Sequence, residues 1–230
     1  KLADTLKSNL AYILINRAGS AIQPGSRTYA RSWIRDGALT SAALLGMGYT
    51  EEVRQFLLWY TPYQLEDGKV PCCVDARGAD PVPEHDSHGQ LIYAIMEYYR
   101  YTRDVGFLRQ MWPHVVKAVG YIEFLRRQRL TERYRTNPAD AAYWGLVPES
   151  ISHEGYSSHP RHSYWDNFFI LRGLKDAATI AVVLGEDEQA TRFAALRDAF
   201  RKDLYASIRE TIKNHQIDFI PGAVELGDFD

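Results

Sequence analysis

Residues 29–45, YARSWIRDGALTSAALL, decide the fold, because an aromatic and charged segment leads directly into small and apolar residues. No charge follows Asp36 until Glu51, which favours a helix that is buried on most sides. Two further segments share this pattern, since Asp86 precedes GQLIYAIM and Asp166 precedes NFFIL. The sequence therefore predicts three inner helices that each begin near an aspartate.

The helical period recurs along the whole chain, whereas strand-like alternation is scarce, so the predicted class is all-α. The predicted helices span residues 2–18, 36–48, 50–65, 87–102, 105–130, 163–184 and 187–212. Long and short connections alternate, and the long ones span 16–32, 66–86 and 131–163. Antiparallel hairpins placed side by side would gather the long loops at one end, where function is usually carried. We therefore expect a toroid of hairpins with inner and outer helices.

Composition excludes several classes of partner. The 27 basic and 29 acidic residues nearly balance, so net charge gives no support to nucleic acid or an anionic membrane as partner. No stretch reaches the roughly 18 apolar residues of a membrane span, and no signal peptide heads the sequence. We expect a soluble, cytoplasmic protein. Cys72 and Cys73 are neighbours, which seldom satisfy disulfide geometry, so buried thiols beside a turn are expected.

The first turns of the three inner helices read SWIRDG, EHDSHG and SYWDNF. Aspartate and serine are ordinary N-caps, and capping alone would explain any one of these motifs. A cap requires no arginine, however, and Arg35 and Asp36 are neighbours that we expect to find separate partners. A guanidinium, a carboxylate and a flat ring such as Trp33 together suit a pyranose. The three helix starts therefore predict a single sugar-binding site at the end of the fold where these helices begin.

These segments resemble a known family. SWIRDGAL resembles the W-x-R-D-x-A-L segment of glucoamylases and related six-hairpin glycosidases. EHDSHGQLIYAIMEY, MWPHVVKAVGYIEFL and HSYWDNFFILRGLKDA resemble later segments of that family, in the same order. The resemblance implies an (α/α)6 barrel, or a large part of one, as a single domain over residues 1–230. It also implies an inverting hydrolase, without a cofactor, that acts on the non-reducing end of an α-glucoside or related oligosaccharide.

The resemblance also assigns roles to residues. Asp166 is the implied general acid, although glucoamylases usually have glutamate at that position. A helix N-terminus favours the ionised form, so apolar neighbours such as Trp165 and Phe168, or a nearby carboxylate, must raise its pKa. The general base is expected beyond Asp230, on a later hairpin of a longer polypeptide. The expected substrate contacts are Trp33, Arg35, Asp36, Asp86, His88, Glu149, Tyr164 and Trp165.

Several alternatives stay open. Phosphate could replace water, which would make the protein a glycoside phosphorylase, or the barrel could bind carbohydrate or a partner chain without catalysis. An epimerase or cyclase would call for paired histidines or a Cys/His metal set on inner helices. Glu149 and Glu154 in the loop GLVPESISHEGY could contact Asp166 or a neighbouring sugar.

The loop histidines do not follow a recognised zinc pattern, so no metal is predicted. These histidines are His85, His88, His153, His159 and His162.

Overall fold

The computed structural model describes residues 1–151 and 159–226, and helices dominate it. The helices are α1 (Leu2–Ile15), α2 (Ile34–Gly46), α3 (Thr50–Tyr60), α4 (Asp86–Thr102), α5 (Val105–Arg127), α6 (Glu132–Thr136), α7 (Tyr164–Leu184) and α8 (Asp187–His215). All seven predicted helices are present, and α6 is a short addition in the longest loop. Among the described residues, no helix has the length and apolar character needed to cross a membrane.

The predicted division into inner and outer helices is confirmed. Helix α4 packs against both α2 and α7, so the three charge-poor helices lie side by side. Each is followed by a tight turn and an outer helix that packs back on it, giving the hairpins α2–α3, α4–α5 and α7–α8. Hairpins arranged in this way are the repeating unit of an α/α toroid. Helix α1 has no buried residue, and it contacts the core through the partly buried side chains of Leu10, Ile13 and Leu14.

Helices α4 and α7 approach so closely that glycine is required on both. A Cβ atom added to Gly89 would lie 1.9 Å from the carbonyl oxygen of Phe169, and one added to Gly173 would lie 2.6 Å from the Cα atom of Gly89. Real Cβ atoms do not approach backbone this closely, so any side chain at either position must push the helices apart. The crossing lies one turn after the start of α4 and therefore fixes where the first turns of both helices meet.

An ion-pair network joins the same two helices further along. Asp176 of α7 is fully buried, and its two oxygens accept from Arg100 Nη2 at 2.5 Å and from Arg172 Nε at 2.7 Å. Arg172 also donates to Glu97 Oε1 of α4 at 3.0 Å. The network holds the register that the glycine contact sets, because both arginines bridge α4 to α7.

A small antiparallel sheet was not predicted. Its strands are β1 (Ser32–Trp33), β2 (Cys73–Asp75) and β3 (Gly78–Asp80), in the order β1-β2-β3. Ser32 pairs with Val74, and Val74 with Ala79. Strands of two or three residues are too short to show a period of two, which explains why no sequence pattern indicated them. The sheet ties the loop before α2 to the loop before α4.

The α4–α7 contact gives a stability prediction. Gly89→Ala should lower the free energy of unfolding by about 2–3 kcal/mol, because the added methyl group must displace backbone. The matched control is Gly120→Ala, since a Cβ at Gly120 in the middle of α5 would meet nothing within 4 Å. That variant should gain up to about 1 kcal/mol from the better helix propensity of alanine. Urea unfolding measures both; equal effects at the two positions would contradict the close crossing.

Candidate active site

The first turns of α2 and α4 meet through Arg35. Its Nη1 donates to Glu84 Oε2 at 2.9 Å and lies 3.7 Å from Asp86 Oδ2. Both carboxylates are almost fully buried, Glu84 at 4% exposure and Asp86 at 1%. A buried carboxylate needs compensation, and here one guanidinium serves two. Strand β1 leads directly into α2, so the sheet fixes the position from which Arg35 extends.

The first turn of α7 completes the cluster. Trp165 donates from its indole Nε1 to Asp86 Oδ2 at 2.9 Å, so α7 is bonded to α4 at the point where both begin. The Trp165 ring is 44% exposed, and Phe168 beside it on the helix is 40% exposed. The structure therefore brings together the three helix starts that the sequence singled out. We call Arg35, Glu84, Asp86, Trp165 and Asp166 the helix-start cluster.

Asp166 has the environment of a carboxylic acid that keeps its proton. Its side chain is buried, at 3% exposure. Burial raises the pKa of Asp166 well above its ordinary value, and the negative charge of Asp86 raises it further. The hydroxyl of Ser150 donates to Asp166 Oδ2 and acts in the opposite direction without reversing the shift. On the sequence alone, apolar neighbours or a nearby carboxylate were required to raise the pKa of Asp166. The structure places a carboxylate, Asp86, near it, and burial acts in the same direction.

Asp86 and Asp166 titrate as an interacting pair. Burial also raises the pKa of Asp86; Arg35 and the Trp165 indole act in the opposite direction without reversing the shift. The Asp86 anion is thus better stabilised than the Asp166 anion. Of the two carboxyls, Asp166 is therefore the one expected to keep its proton to higher pH.

Trp33 and Asp36 lie beside the cluster, and the setting of Trp33 differs from the one expected. Trp33 is 8% exposed and packs with Cys72 and Cys73, so it does not offer an open face to a sugar. The guanidinium carbon of Arg31 covers its ring at 5.2 Å from the centroid. Asp36 is partly exposed, and its Oδ2 lies 3.9 Å from Arg35 Nε, too far for a hydrogen bond. The hydrogen bond of Arg35 goes to Glu84, a partner other than Asp36, as expected.

The structure does not place His88 or Tyr164 at the cluster. His88 is fully buried, accepts from the backbone N–H of Val70 at 3.2 Å, and packs its ring on Tyr121. The Tyr164 hydroxyl lies 2.7 Å from Thr211 Oγ1 and faces α8. His88 lies two positions from Asp86 on α4, and Tyr164 lies two positions from Asp166 on α7. Two positions are about 200° around a helix, so each side chain points away from the aspartate of its own helix. The predicted sugar contacts at these residues are corrected accordingly.

Glu149 lies near the cluster without joining it. Its carboxylate bonds Arg129 and lies 3.5 Å from His162 Nε2. Burial alone would raise the pKa of Glu149, but its own backbone N–H and the guanidinium of Arg129 outweigh that effect and leave the pKa lowered. An ionised, half-exposed carboxylate is no proton donor. Glu154 and His153 lie outside the described residues.

Sequence reasoning did not assign three residues of this region to the site. Glu84 could have been found, because it precedes Asp86 by two positions in PEHD. Ser150 gave no signal, since it contacts Asp166 from a loop 16 positions away. His85 is buried beside them, and burial followed by the charge of Lys69 lowers its pKa to about 4, so it is neutral near pH 7.

The two cysteines are buried free thiols, and they lie with Asp80 where three ligand atoms approach within 4.8 Å of one another. The residues do not suit a metal, however. The hydrogen bond to Cys73 and burial raise the pKa of the Cys72 thiol, which disfavours the thiolate that a metal requires. Asp80 is already bonded to Arg31 at 2.7 Å.

Comparison with known proteins gives one family and several solved structures. Residues 31–218 match the model of the bacterial alpha-L-rhamnosidase six-hairpin glycosidase domain. A GH63 mannosylglycerate hydrolase from Thermus thermophilus is 16% identical, with a TM-score of 0.58 and coverage of 84% of this chain and 65% of that chain. No curated protein matches significantly.

Two rhamnosidase structures are also similar. The alpha-L-rhamnosidase from Dictyoglumus thermophilum is 16% identical at a TM-score of 0.60, over 87% of this chain and 22% of that chain. The rhamnosidase from Klebsiella oxytoca is 19% identical at a TM-score of 0.50, over 80% of this chain and 33% of that chain. This chain therefore spans less than two thirds of the length of each of these relatives. The predicted all-α toroid and the six-hairpin glycosidase resemblance are both confirmed.

The raised pKa of Asp166 predicts how stability depends on pH. A carboxyl whose pKa is higher in the folded than in the unfolded chain binds more protons when folded, so stability falls as pH rises from the ordinary carboxyl range through the raised pKa. Asp166→Asn removes this contribution. The variant should be at least as stable as the parent at pH 7, with a shallower decline of stability above about pH 4.

Urea unfolding across that pH range measures the effect. The control is Asp198→Asn on α8, because Arg197 lowers the pKa of the exposed Asp198 carboxyl. The stabilisation from Asp198 is lost only as pH falls through the acidic range, so its variant should keep the parent's slope near neutral pH. Identical slopes in the parent and in Asp166→Asn would contradict a proton held on Asp166.

Proposed function

This chain belongs to the family of bacterial alpha-L-rhamnosidase six-hairpin glycosidase domains, and on that premise we propose that it carries the proton-donating and sugar-holding part of an O-glycoside hydrolase site. The observation that supports this most directly is the pair of buried carboxyls, Asp86 and Asp166, where three inner helices begin. Two adjacent carboxyls whose settings push their pKa values apart are the usual source of a general acid and its anionic partner.

Asp166 is the proposed general acid. Protonating the oxygen of the leaving group requires a carboxyl that keeps its proton near neutral pH, and burial beside Asp86 provides that condition. An inverting reaction also needs a carboxylate that activates water on the opposite face of the sugar, with the two groups roughly 6.5–9.5 Å apart. Of these two groups, Asp166 is the general acid.

Arg35, Asp86 and Trp165 are the proposed groups around the terminal sugar. A guanidinium donates to hydroxyls, a carboxylate accepts from them, and an exposed indole packs on the apolar face of a pyranose. Trp165 suits that last role better than Trp33, because its ring is 44% exposed. Asp36, which is partly exposed beside Arg35, adds a second acceptor at the same edge.

The substrate is proposed to be an oligosaccharide or glycoside with an α-linked terminal sugar. The family match makes an α-L-rhamnoside the first substrate to test. An α-glucoside, which the W-x-R-D-x-A-L segment suggests, is the second. Aryl α-L-rhamnosides and aryl α-glucosides compared at equal concentration distinguish the two.

Replacing the proposed acid tests this function. In the intact protein, Asp166→Asn should lower kcat/KM by about 10³-fold for a sugar leaving group, since general acid catalysis contributes roughly 10²–10⁴-fold. The loss should be much smaller with a 2,4-dinitrophenyl leaving group, which departs without a proton. The parent should lose activity as pH rises through the pKa of Asp166, and the variant should lack that alkaline limb.

Asp198→Asn is the matched control and should keep the parent's rates. Unchanged hydrolysis of the sugar substrate by Asp166→Asn would remove Asp166 from the chemistry. Turnover that depends on added phosphate would identify a phosphorylase. Sugar binding without turnover of either aryl substrate would favour the non-catalytic alternative.

A further inference from the structure

A polar cavity lies beside Glu149, the residue that precedes the Asp166 partner Ser150. Ser150 and Arg161 form an antiparallel bridge, with N–H to carbonyl distances of 2.8 and 2.9 Å. Successive side chains of an extended segment point to opposite faces. Ser150 accordingly reaches Asp166, whereas Glu149 faces a cavity of about 520 Å³. Its lining includes Arg129, Tyr134, Tyr143, Glu149, His162 and Glu225.

The polar groups of this cavity are fixed by one another. Arg129 Nε donates to His162 Nε2 at 2.9 Å, and a guanidinium can only donate, so this ring nitrogen carries no proton. The ring proton therefore lies on Nδ1, which is 2.5 Å from Glu225 Oε1. The His162 backbone N–H donates to the other Glu225 oxygen at 3.0 Å. A site whose polar groups are held in this way needs little reordering when a ligand binds.

The charge of the cavity favours a neutral ligand. Two arginines, Arg129 and Arg133, face three carboxylates, since Glu149, Glu225 and Asp140 also line the wall. Arg133 Nε is bonded to Asp140 at 2.8 Å, and Arg129 is bonded to Glu149. Each guanidinium is thus already neutralised. A phosphate or carboxylate ligand would have to displace a protein carboxylate, whereas hydroxyls can add to these pairs.

Two aromatic rings form part of the wall. Tyr143 packs on the His162 ring at 4.5 Å between centroids, and the guanidinium of Arg129 lies 5.3 Å from the ring centroid of Tyr134. The guanidinium of Arg133 also lies over the Tyr134 ring, at 5.2 Å, and both tyrosines are half-buried, so each ring is held by its neighbours and stays partly exposed. Supported rings among carboxylates and guanidinium groups are the combination that binds a sugar, through its apolar face and its vicinal hydroxyls.

We propose that this cavity binds a neutral sugar unit of an extended substrate, beyond the unit whose bond is cleaved at Asp166. The proposal rests on the proposed function in treating the bound sugar as part of a substrate. Sugar binding in the cavity does not depend on that function. One backbone segment separates the two places, because Ser150 and Glu149 are neighbours that face them from opposite sides. The cavity then discriminates oligosaccharides by length and contributes to affinity, not to the chemical step.

Calorimetry on the intact Asp166→Asn protein tests the binding without turnover. The probes are rhamnosyl-α-1,6-glucose against rhamnose, and maltotriose against glucose. We expect at least one oligosaccharide to bind about tenfold or more tightly than its monosaccharide. Adding Tyr143→Phe, which keeps the ring and removes the hydroxyl, should weaken that oligosaccharide about fivefold, the usual value of one hydrogen bond. Glu149→Gln should have a similar effect, and neither change should alter monosaccharide binding.

Tyr101→Phe is the matched control, because Tyr101 is an exposed tyrosine near the opposite end of α4. Equal affinity of oligosaccharide and monosaccharide, or oligosaccharide affinity that Tyr143→Phe and Glu149→Gln leave unchanged, would overturn the proposal. Binding of inorganic phosphate that Glu149→Gln strengthens would also overturn it, in favour of an anion site. Absent hydrolysis with the expected pattern of binding would overturn only the proposed function.

Discussion

The close crossing of α4 and α7 is the contact on which the rest of the molecule depends. At Gly89 and Gly173 the two backbones touch, with no side chain between them. The first turns of both helices are then forced into the same small volume. Asp86 and Asp166 become neighbours because of this geometry, and not because they attract each other. The two glycines thus bring two carboxyls close together, which is unfavourable when both are ionised. The proposed proton donor is one of this pair.

Opposing electrostatic effects act on Asp166, and their magnitudes decide the outcome. A helix N-terminus stabilises a carboxylate by roughly 0.3–1 kcal/mol, up to about 2 in partly buried settings. Removing a carboxylate from water costs several kcal/mol, and a second buried carboxylate adds to that cost. Burial should therefore outweigh the helix end, which agrees with the raised pKa of Asp166. The same comparison explains why a position in the first turn of a helix, after the N-cap Ser163, can hold a protonated acid.

The sequence predicted the fold and the meeting of the helix starts because both depend on patterns many residues long. The helical period, the charge-poor inner helices and the alternating loop lengths together are compatible with few arrangements of the helices. The sequence did not predict where single side chains point, as His88 and Tyr164 illustrate. A motif shows which residues are adjacent in the chain, but not which face of the helix each one occupies. Ser150 and the small sheet were missed because their contacts are set by tertiary structure.

Helix α7 contains both a structural carboxylate and the carboxyl of the proposed acid. Asp176 and Asp166 lie on the same helix and are both buried. Asp176 is bonded by two arginines, so its charge is compensated and its bonds hold α4 to α7. In the described part of the chain, Asp166 is bonded by the hydroxyl of Ser150 and the backbone of His85, and by no cation. Two buried aspartates of similar exposure thus differ in what the fold supplies beside them. The Asp176 charge holds the helices together, whereas Asp166, next to Asp86, is left able to give up a proton.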